Sequence, residues 1–212
     1  LNGMLLVLEG KQLRVVATDG HRLSYADTAL ETEVEAREII IPRKTVMELS
    51  KLLGDVDDPV ELRIGANQVT FTLPGTELVT KVVDGKFPDY QRVIPANQPR
   101  HLKARRQNVM QALQRAAILS NEKFRGVRLV MSENTLGIVC NNNEQEEAAD
   151  EIEVSYNGDP LDVGFNVTYL LDGLGAVNTE EITLSLGDAN SSMLLTSEGE
   201  PGFKYVVMPM RI

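Results

Sequence analysis

The stretch TDGHRL, Thr18 to Leu23, is where this sequence comes nearest to acid–base chemistry. Asp19 stands two residues before His21, and a carboxylate beside an imidazole is a common way to build a general base. The rest of a hydrolase is missing. No Ser or Cys is placed by a nucleophile motif, and the only other histidine is His101. The same residues serve equally well as a turn, with Asp19 and Gly20 supplying the bend. A hydrolase using Asp19 and His21 is therefore one reading, and a non-catalytic protein is its rival.

Other candidate chemistry is weaker. GDVDDP, Gly54 to Pro59, has the carboxylates of a calcium loop, but it lacks the glycine at the bend and carries a proline. It reads as the loop after a helix. NNNEQEEAADEIEV, ending at Val154, reads as a solvated strand edge and turn rather than a metal site. A Walker loop, a dinucleotide-binding glycine motif, a His pair at helical spacing and a Cys pair are all missing, so neither a metal nor a cofactor is expected. The single cysteine, Cys140, lies in the strand-like LGIVCN and is expected to be a small buried hydrophobe. It can form no intrachain disulfide, which makes the cytoplasm the default compartment.

The elements that would hold these residues are mostly strands. GMLLVLEGKQLRVVATDG alternates as strand, tight turn at Glu9-Gly10-Lys11, and strand. VELRIGANQVTFTLPGTELVTKVV gives three more short strands, with turns at Gly65-Ala66-Asn67 and Pro74-Gly75. Three helices are predicted. The first runs from Pro42 to Gly54 with Val46, Leu49, Leu52 and Leu53 inward, and the second is RRQNVMQALQRAAILS with Val109, Ala112, Leu113 and Ala116 inward. The third is NVTYLLDGLGAV, where Asn166 is a plausible N-cap ahead of Tyr169, Leu170 and Leu174.

Strands and helices recur in one order. GMLLVLEGKQLRVVATDGHRL from Gly3 aligns with GVRLVMSENTLGIVCNNNEQE from Gly126 at an offset of 123, apolar on apolar. At an offset of 124, Ile41 meets Phe165 and Val82-Val83 meets Val206-Val207. Two copies of one β-rich unit thus account for almost the whole chain, an α+β architecture of antiparallel sheets with helices on one face. The second copy has a preface from His101 to Arg125 that the first lacks, so about 25 residues of a parent protein are expected upstream of Leu1. The absence of a signal-like start and of an initiating Met fits the same expectation of a fragment. DGKFPDYQRVIPANQPR is the connector, and the expected boundary lies near Gln98, dividing the chain into 1–98 and 99–212.

A formal net charge of −10 over 212 residues argues at first against a nucleic-acid partner. The helices run the other way. The first carries Arg43, Lys44 and Lys51 against Glu48, and the second carries Lys103, Arg105, Arg106 and Arg115 with no acid, so positive charge concentrates on helices while negative charge sits on strands and loops. A structural β-repeat protein with no DNA role would instead scatter its basic residues. No apolar run approaches the roughly 20 residues of a bilayer span.

With repeat and charge in view, several longer motifs carry weight together: LNGMLL…VATDGHRL, VDGKFPDYQRVIP, AAILSNEKFRGVRL, NNNEQEEA, GFNVTYLLD and the terminal YVVMPMRI. They closely resemble the β sliding clamps of bacterial DNA polymerase III, and the resemblance covers the whole chain. It implies the DNA-clamp fold, in which a protomer has three similar domains and two protomers close head to tail into a ring around duplex DNA. Helices line the hole and sheets form the outer wall. Residues 1–98 would be an N-terminally truncated middle domain and 99–212 the C-terminal domain.

The resemblance further implies a non-catalytic processivity factor without cofactors, a cytoplasmic replication protein that tethers the replicative polymerase to DNA. By it, Arg43, Lys44, Arg105, Arg106 and Arg115 are DNA-facing candidates. It also implies a groove that takes short segments of the polymerase, the clamp loader and other clamp-motif proteins, typically bearing a glutamine and Leu or Phe. Matched by motif, that groove would use Leu1, Thr18, Gly20, His21, Arg22 and Leu23, then Pro88, Arg92 and Val93, then Asn166, Tyr169, Ser192, Val206, Met208, Pro209, Met210 and Arg211. Methionines reshape around different ligands, prolines keep walls stiff, and His21, Arg22 and Asn166 could bond a glutamine amide. Ile212 stands where a leucine is common in the family. Ile118 and Leu119, beside the second helix, are expected to be exposed at the ring-closing edge.

Overall fold

The computed structural model describes residues 2–54 and 56–212. The chain separates into two compact units, one of Leu1–Asp19 with Tyr25–Tyr90, the other of Gly20–Ser24 with Gln91–Ile212.

In the first unit, strands β1 (Gly3–Thr18) and β2 (Arg22–Pro42) are hydrogen-bonded neighbours. The turn expected at Gly10 appears as a positive φ of 60° inside β1, a conformation that costs glycine nothing. Helix α1 (Arg43–Leu53) follows, then an antiparallel sheet of β3 (Glu61–Ile64), β4 (Gln68–Leu73) and β5 (Thr76–Lys81). The two turns of this sheet fall where the glycines predicted them, with Gly65 N–H donating to the Gln68 carbonyl at 2.8 Å and Gly75 at φ 71°. Val69, Phe71 and Leu73 of β4 alternate inward and meet Leu6, Ile41 and Leu49 in one core. Leu53, predicted to face inward, is 42% exposed. The buried stripe of α1 is centred on Thr45 and Leu49, with Leu52 beside it, and this leaves Leu53 at the rim of the last turn. Thr45 reaches the sheet with its hydroxyl 2.8 Å from that of Thr80.

The second unit holds two antiparallel layers. One has the order β10 (Leu161–Asn166), β7 (Gly126–Ser132), β8 (Thr135–Asn141), β9 (Glu147–Glu153), and the other β13 (Phe203–Val207), β12 (Met193–Thr196), β11 (Glu181–Leu186), β6 (Arg100–Arg105). Helices α2 (Arg106–Ala117) and α3 (Val167–Gly175) pack on each other and supply Val109, Ala112, Leu113, Ala116, Leu170 and Leu174 to the core, as their spacing predicted. Full burial of each valine or leucine among them stabilises by about 1.5–3 kcal/mol, so this core is the main support of everything built on its surface. Cys140 is buried on β8, and desolvation pushes its thiol pKa up.

The repeat is visible in the elements. α1 begins at Arg43 and α3 at Val167, matching the offset of 124, and the residues before them that this offset pairs, Ile41 and Phe165, are both fully buried. No helix among the described residues is long and apolar enough to cross a membrane.

Candidate functional site

Three stretches of the second unit converge: residues 20–24, helix α3, and the end of β13 with the tail after it. Each is placed by a local cause. Asn166 starts α3 by capping, its side-chain oxygen accepting from the backbone N–H groups of Thr168 at 2.9 Å and Tyr169 at 3.2 Å. Tyr169 and Asp172, three residues apart, then project from one face of the helix. Gly20, at φ 90°, bends the chain so that the His21 carbonyl accepts the Met208 N–H at 2.9 Å. Leu23 and Val206 lie beneath, 1% and 0% exposed, so these two expected groove residues are buried supports rather than open lining.

Above that floor sits a polar cluster. The Arg22 guanidinium lies 4.3 Å over the Tyr169 ring, and its Nη1 donates to the Asp172 carboxylate at 2.5 Å. The same nitrogen is 3.4 Å from the Tyr205 hydroxyl, which donates to the Tyr169 carbonyl at 2.9 Å. Tyr205 can come this close because α3 has glycine beneath it: a Cβ on Gly173 would stand 2.4 Å from the tyrosine ring. His21 stacks on Tyr169 with ring centroids 6.4 Å apart and planes at 23°.

The tail is seated rather than frayed. Met208 is 48% exposed beside His21, Pro209 stiffens the next link, and Met210 N–H donates to the Gly164 carbonyl at 2.9 Å. Two glycines make room for it. A Cβ on Gly164 would lie 2.5 Å from the Met210 carbonyl and 2.7 Å from Ile212 Cδ1, and one on Gly126 would lie 3.0 Å from the same Ile212 carbon. A cavity of about 310 Å³ adjoins this end of the chain, lined by Phe124, Met210, Arg211 and Ile212 with asparagines around them.

The other expected residues are placed as follows. Ser192 accepts a hydrogen bond from Gln98 through its carbonyl at 2.7 Å. Arg92 and Val93 are exposed around the short 3-10 turn Tyr90–Arg92. Thr18, half-buried at the end of β1, and Pro88, exposed, belong to the first unit, and Leu1 lies outside the described residues. Arg43, Lys44 and Arg105 are exposed. Arg106 is turned inward, its guanidinium donating to the carbonyls of Thr179 at 3.1 Å and Leu174 at 3.3 Å. Arg115 is paired with Asp150 at 2.6 Å. Ile118 is 81% exposed and Leu119 half-buried.

This arrangement is built from packing and hydrogen-bonding groups. His21 packs on an aromatic ring, and the chain's only thiol is buried and held protonated. Among the described residues no group of three His, Cys, Asp or Glu side chains is arranged to hold a metal. What the site offers is a restrained cation, aromatic faces, a helix start, an exposed Met208 and a half-buried Met210. Asp172, Gly173, Gly164 and Tyr205 are essential to this geometry and were not among the expected residues. The three-residue spacing of Asp172 from Tyr169 was the one available hint.

Residues 1–89 match the DNA polymerase III beta subunit central domain, and residues 91–211 match the C-terminal domain of the same subunit. The chain is 47% identical over 212 residues to the beta sliding clamp of Salmonella typhimurium, covering all of this chain and 58% of that protein. Among solved structures it resembles a Pseudomonas aeruginosa DNA polymerase III subunit beta bound to griselimycin, with a TM-score of 0.96, 45% identity and coverage of 100% of this chain and 57% of the other. A further structure of that subunit from the same organism gives a TM-score of 0.95 at 46% identity, covering 100% of this chain and 59% of the other. The chain thus spans somewhat over half the length of these relatives. Its α+β architecture is the DNA-clamp fold, and the chain belongs to the DNA polymerase III beta subunit family, the beta sliding clamps.

Proposed function

We propose that this chain serves as the central and C-terminal parts of a non-catalytic sliding clamp, with domains at 1–98 and 99–212. In this reading a homodimeric ring of the longer protein encloses duplex DNA without reading its sequence and tethers the replicative polymerase, in the cytoplasm. The site on the second unit receives short segments of partner proteins, among them the polymerase, the clamp loader and repair proteins. What carries the reading is the tail. An apolar, methionine-bearing chain end is held by backbone hydrogen bonds at Met208 and Met210, yet Met208 remains about half exposed beside a restrained Arg22 and Tyr169. A seated end with an open methionine suits a surface kept for a ligand. The Pseudomonas aeruginosa relative bound to griselimycin lends support that clamps of this kind take ligands. Exposed Arg43, Lys44 and Arg105 are the better candidates for DNA, whereas Arg106 and Arg115 already hold partners within the protein.

The test is a titration of the chain with a fluorescent peptide carrying a glutamine and a terminal Leu-Phe pair, alongside a folded Met208→Ala, Met210→Ala double variant. Saturable binding that the variant loses is expected. Equal binding by the two proteins, or none by the folded wild type, would overturn the reading.

A further inference from the structure

Arg22 brings a cation to the polar cluster, and four separate features restrain it: the Tyr169 ring below, Asp172 at its tip, the Tyr205 hydroxyl beside it, and the absent side chain at Gly173 that lets Tyr205 approach. Such a restraint adds little to the stability of the fold. The Asp172 side chain is 54% exposed, and a half-solvated ion pair between flexible side chains is worth little after screening and entropy. Its effect is on geometry. An unrestrained arginine samples many rotamers and must be ordered each time a ligand binds, whereas one already stacked and paired keeps its planar head in one orientation.

From this we infer that Asp172 is a positioning residue for peptide binding: it holds the Arg22 guanidinium on Tyr169 and so pre-forms one wall of the site without touching the peptide. The inference rests on the groove reading above. It assigns Asp172 a part that its spacing from Tyr169 only hinted at, since the residue it acts through lies 150 positions away.

The experiment uses the same fluorescent peptide and the 212-residue chain. Asp172→Ala is expected to weaken binding about three- to tenfold, the cost of re-ordering one long side chain. Asp172→Asn, whose amide oxygen still accepts from the guanidinium, is expected to restore most of the affinity, with thermal melting alike in all three proteins. The decisive arm is a double-mutant cycle. If Asp172 acts through Arg22, adding Asp172→Ala to Arg22→Ala costs nothing further. Unchanged affinity in Asp172→Ala, or losses that simply add in the double variant, would overturn the inference while leaving the groove reading intact. A folded wild type that binds no peptide would overturn the groove reading and this inference with it.

Discussion

Gly164 gives the sharpest test of whether the tail is truly seated. In Gly164→Ala the new Cβ would stand 2.5 Å from the Met210 carbonyl oxygen, which is backbone and cannot rotate away, and 2.7 Å from Ile212 Cδ1. Ordinary contact begins near 3.4 Å, so the tail must retreat by close to an ångström. The hydrogen bond from Met210 N–H to the Gly164 carbonyl, now 2.9 Å, would then be lost or badly stretched. Such a bond is worth about 0.5–1.5 kcal/mol net, and overpacking costs about 1–3 kcal/mol where nothing can yield. The tail can yield by lifting off. Local opening should therefore become easier by about 1–3 kcal/mol, and the Met210 amide should exchange roughly 5- to 150-fold faster. Global unfolding should change little, because Ile212 is already 62% exposed and the core does not include the last residues. Hydrogen exchange resolved at the Met210 amide is the assay. Gly175→Ala is the control, because a Cβ there meets nothing within 4 Å. A folded Gly164→Ala protein with wild-type protection at Met210 would refute the reasoning. If the tail forms part of the peptide site, that variant should also lose peptide affinity.

The other predictions concern a close packing contact, a helix cap and a buried tyrosine. Gly173→Ala would push a Cβ to 2.4 Å from the Tyr205 ring, which is buried in the core, so a loss of about 1–3 kcal/mol should appear in the denaturant midpoint. Asn166→Ala removes the cap of α3 and should cost about 0.5–2 kcal/mol, while Asn166→Asp, which keeps an acceptor in place, should cost much less. In the first unit, Tyr25 is 7% exposed, and burial, helped by a hydrogen bond to Asp27, pushes its pKa from 10.0 to about 12. Between those values the unfolded chain has released the phenolic proton and the folded chain has not, so stability should fall as pH rises through this window. The expected loss is up to about 2 kcal/mol, and it should be absent from the slope of a Tyr25→Phe variant compared by urea melts at pH 9.5 and 11.5.

Much of this molecule was legible in the sequence because periodicity encodes burial directly. Val109, Ala112, Leu113 and Ala116 read as one helix face and form one; Gly65 and Gly75 read as turns and are turns; Asn166 read as a cap and caps. Leu53 was misplaced because an apolar residue at the end of a helix can sit at the rim of the buried stripe, and sequence does not say where the stripe is centred. The site was legible only in part. Motifs named His21, Arg22, Tyr169 and the two methionines, but they could not show that Leu23 and Val206 are buried beneath it or that Arg106 is turned onto the carbonyls of Thr179 and Leu174. Those are facts about which face of an element meets which neighbour. The Arg22–Asp172 pair and the fit of Tyr205 on Gly173 join residues far apart in the chain, and no local pattern records such a meeting.

The site divides into a stiff half and an adaptable one, and the division has a physical logic. The stiff half is polar: a capped helix start, a stacked and paired guanidinium, and a tyrosine hydroxyl fixed to a carbonyl. Hydrogen bonds are directional, so polar groups reward a ligand only when they are already aimed, and aiming them in advance removes an ordering cost from each binding event. The adaptable half is apolar. Met208 and Met210 follow a strand end tied down at two backbone positions, Met208 about half exposed and Met210 half-buried, and their unbranched thioethers are the side chains best able to change rotamer while the main chain stays put. Dispersion contacts are not directional, and a flexible methionine can make them with a leucine or a phenylalanine alike. A surface built this way would demand one polar feature of every ligand and tolerate variety in its hydrophobic residues. The corresponding expectation is that exchanging Leu for Phe or Met in a peptide changes affinity far less than removing its glutamine. The opposite ranking in a peptide series would show that the methionines, not the polar cluster, set the specificity.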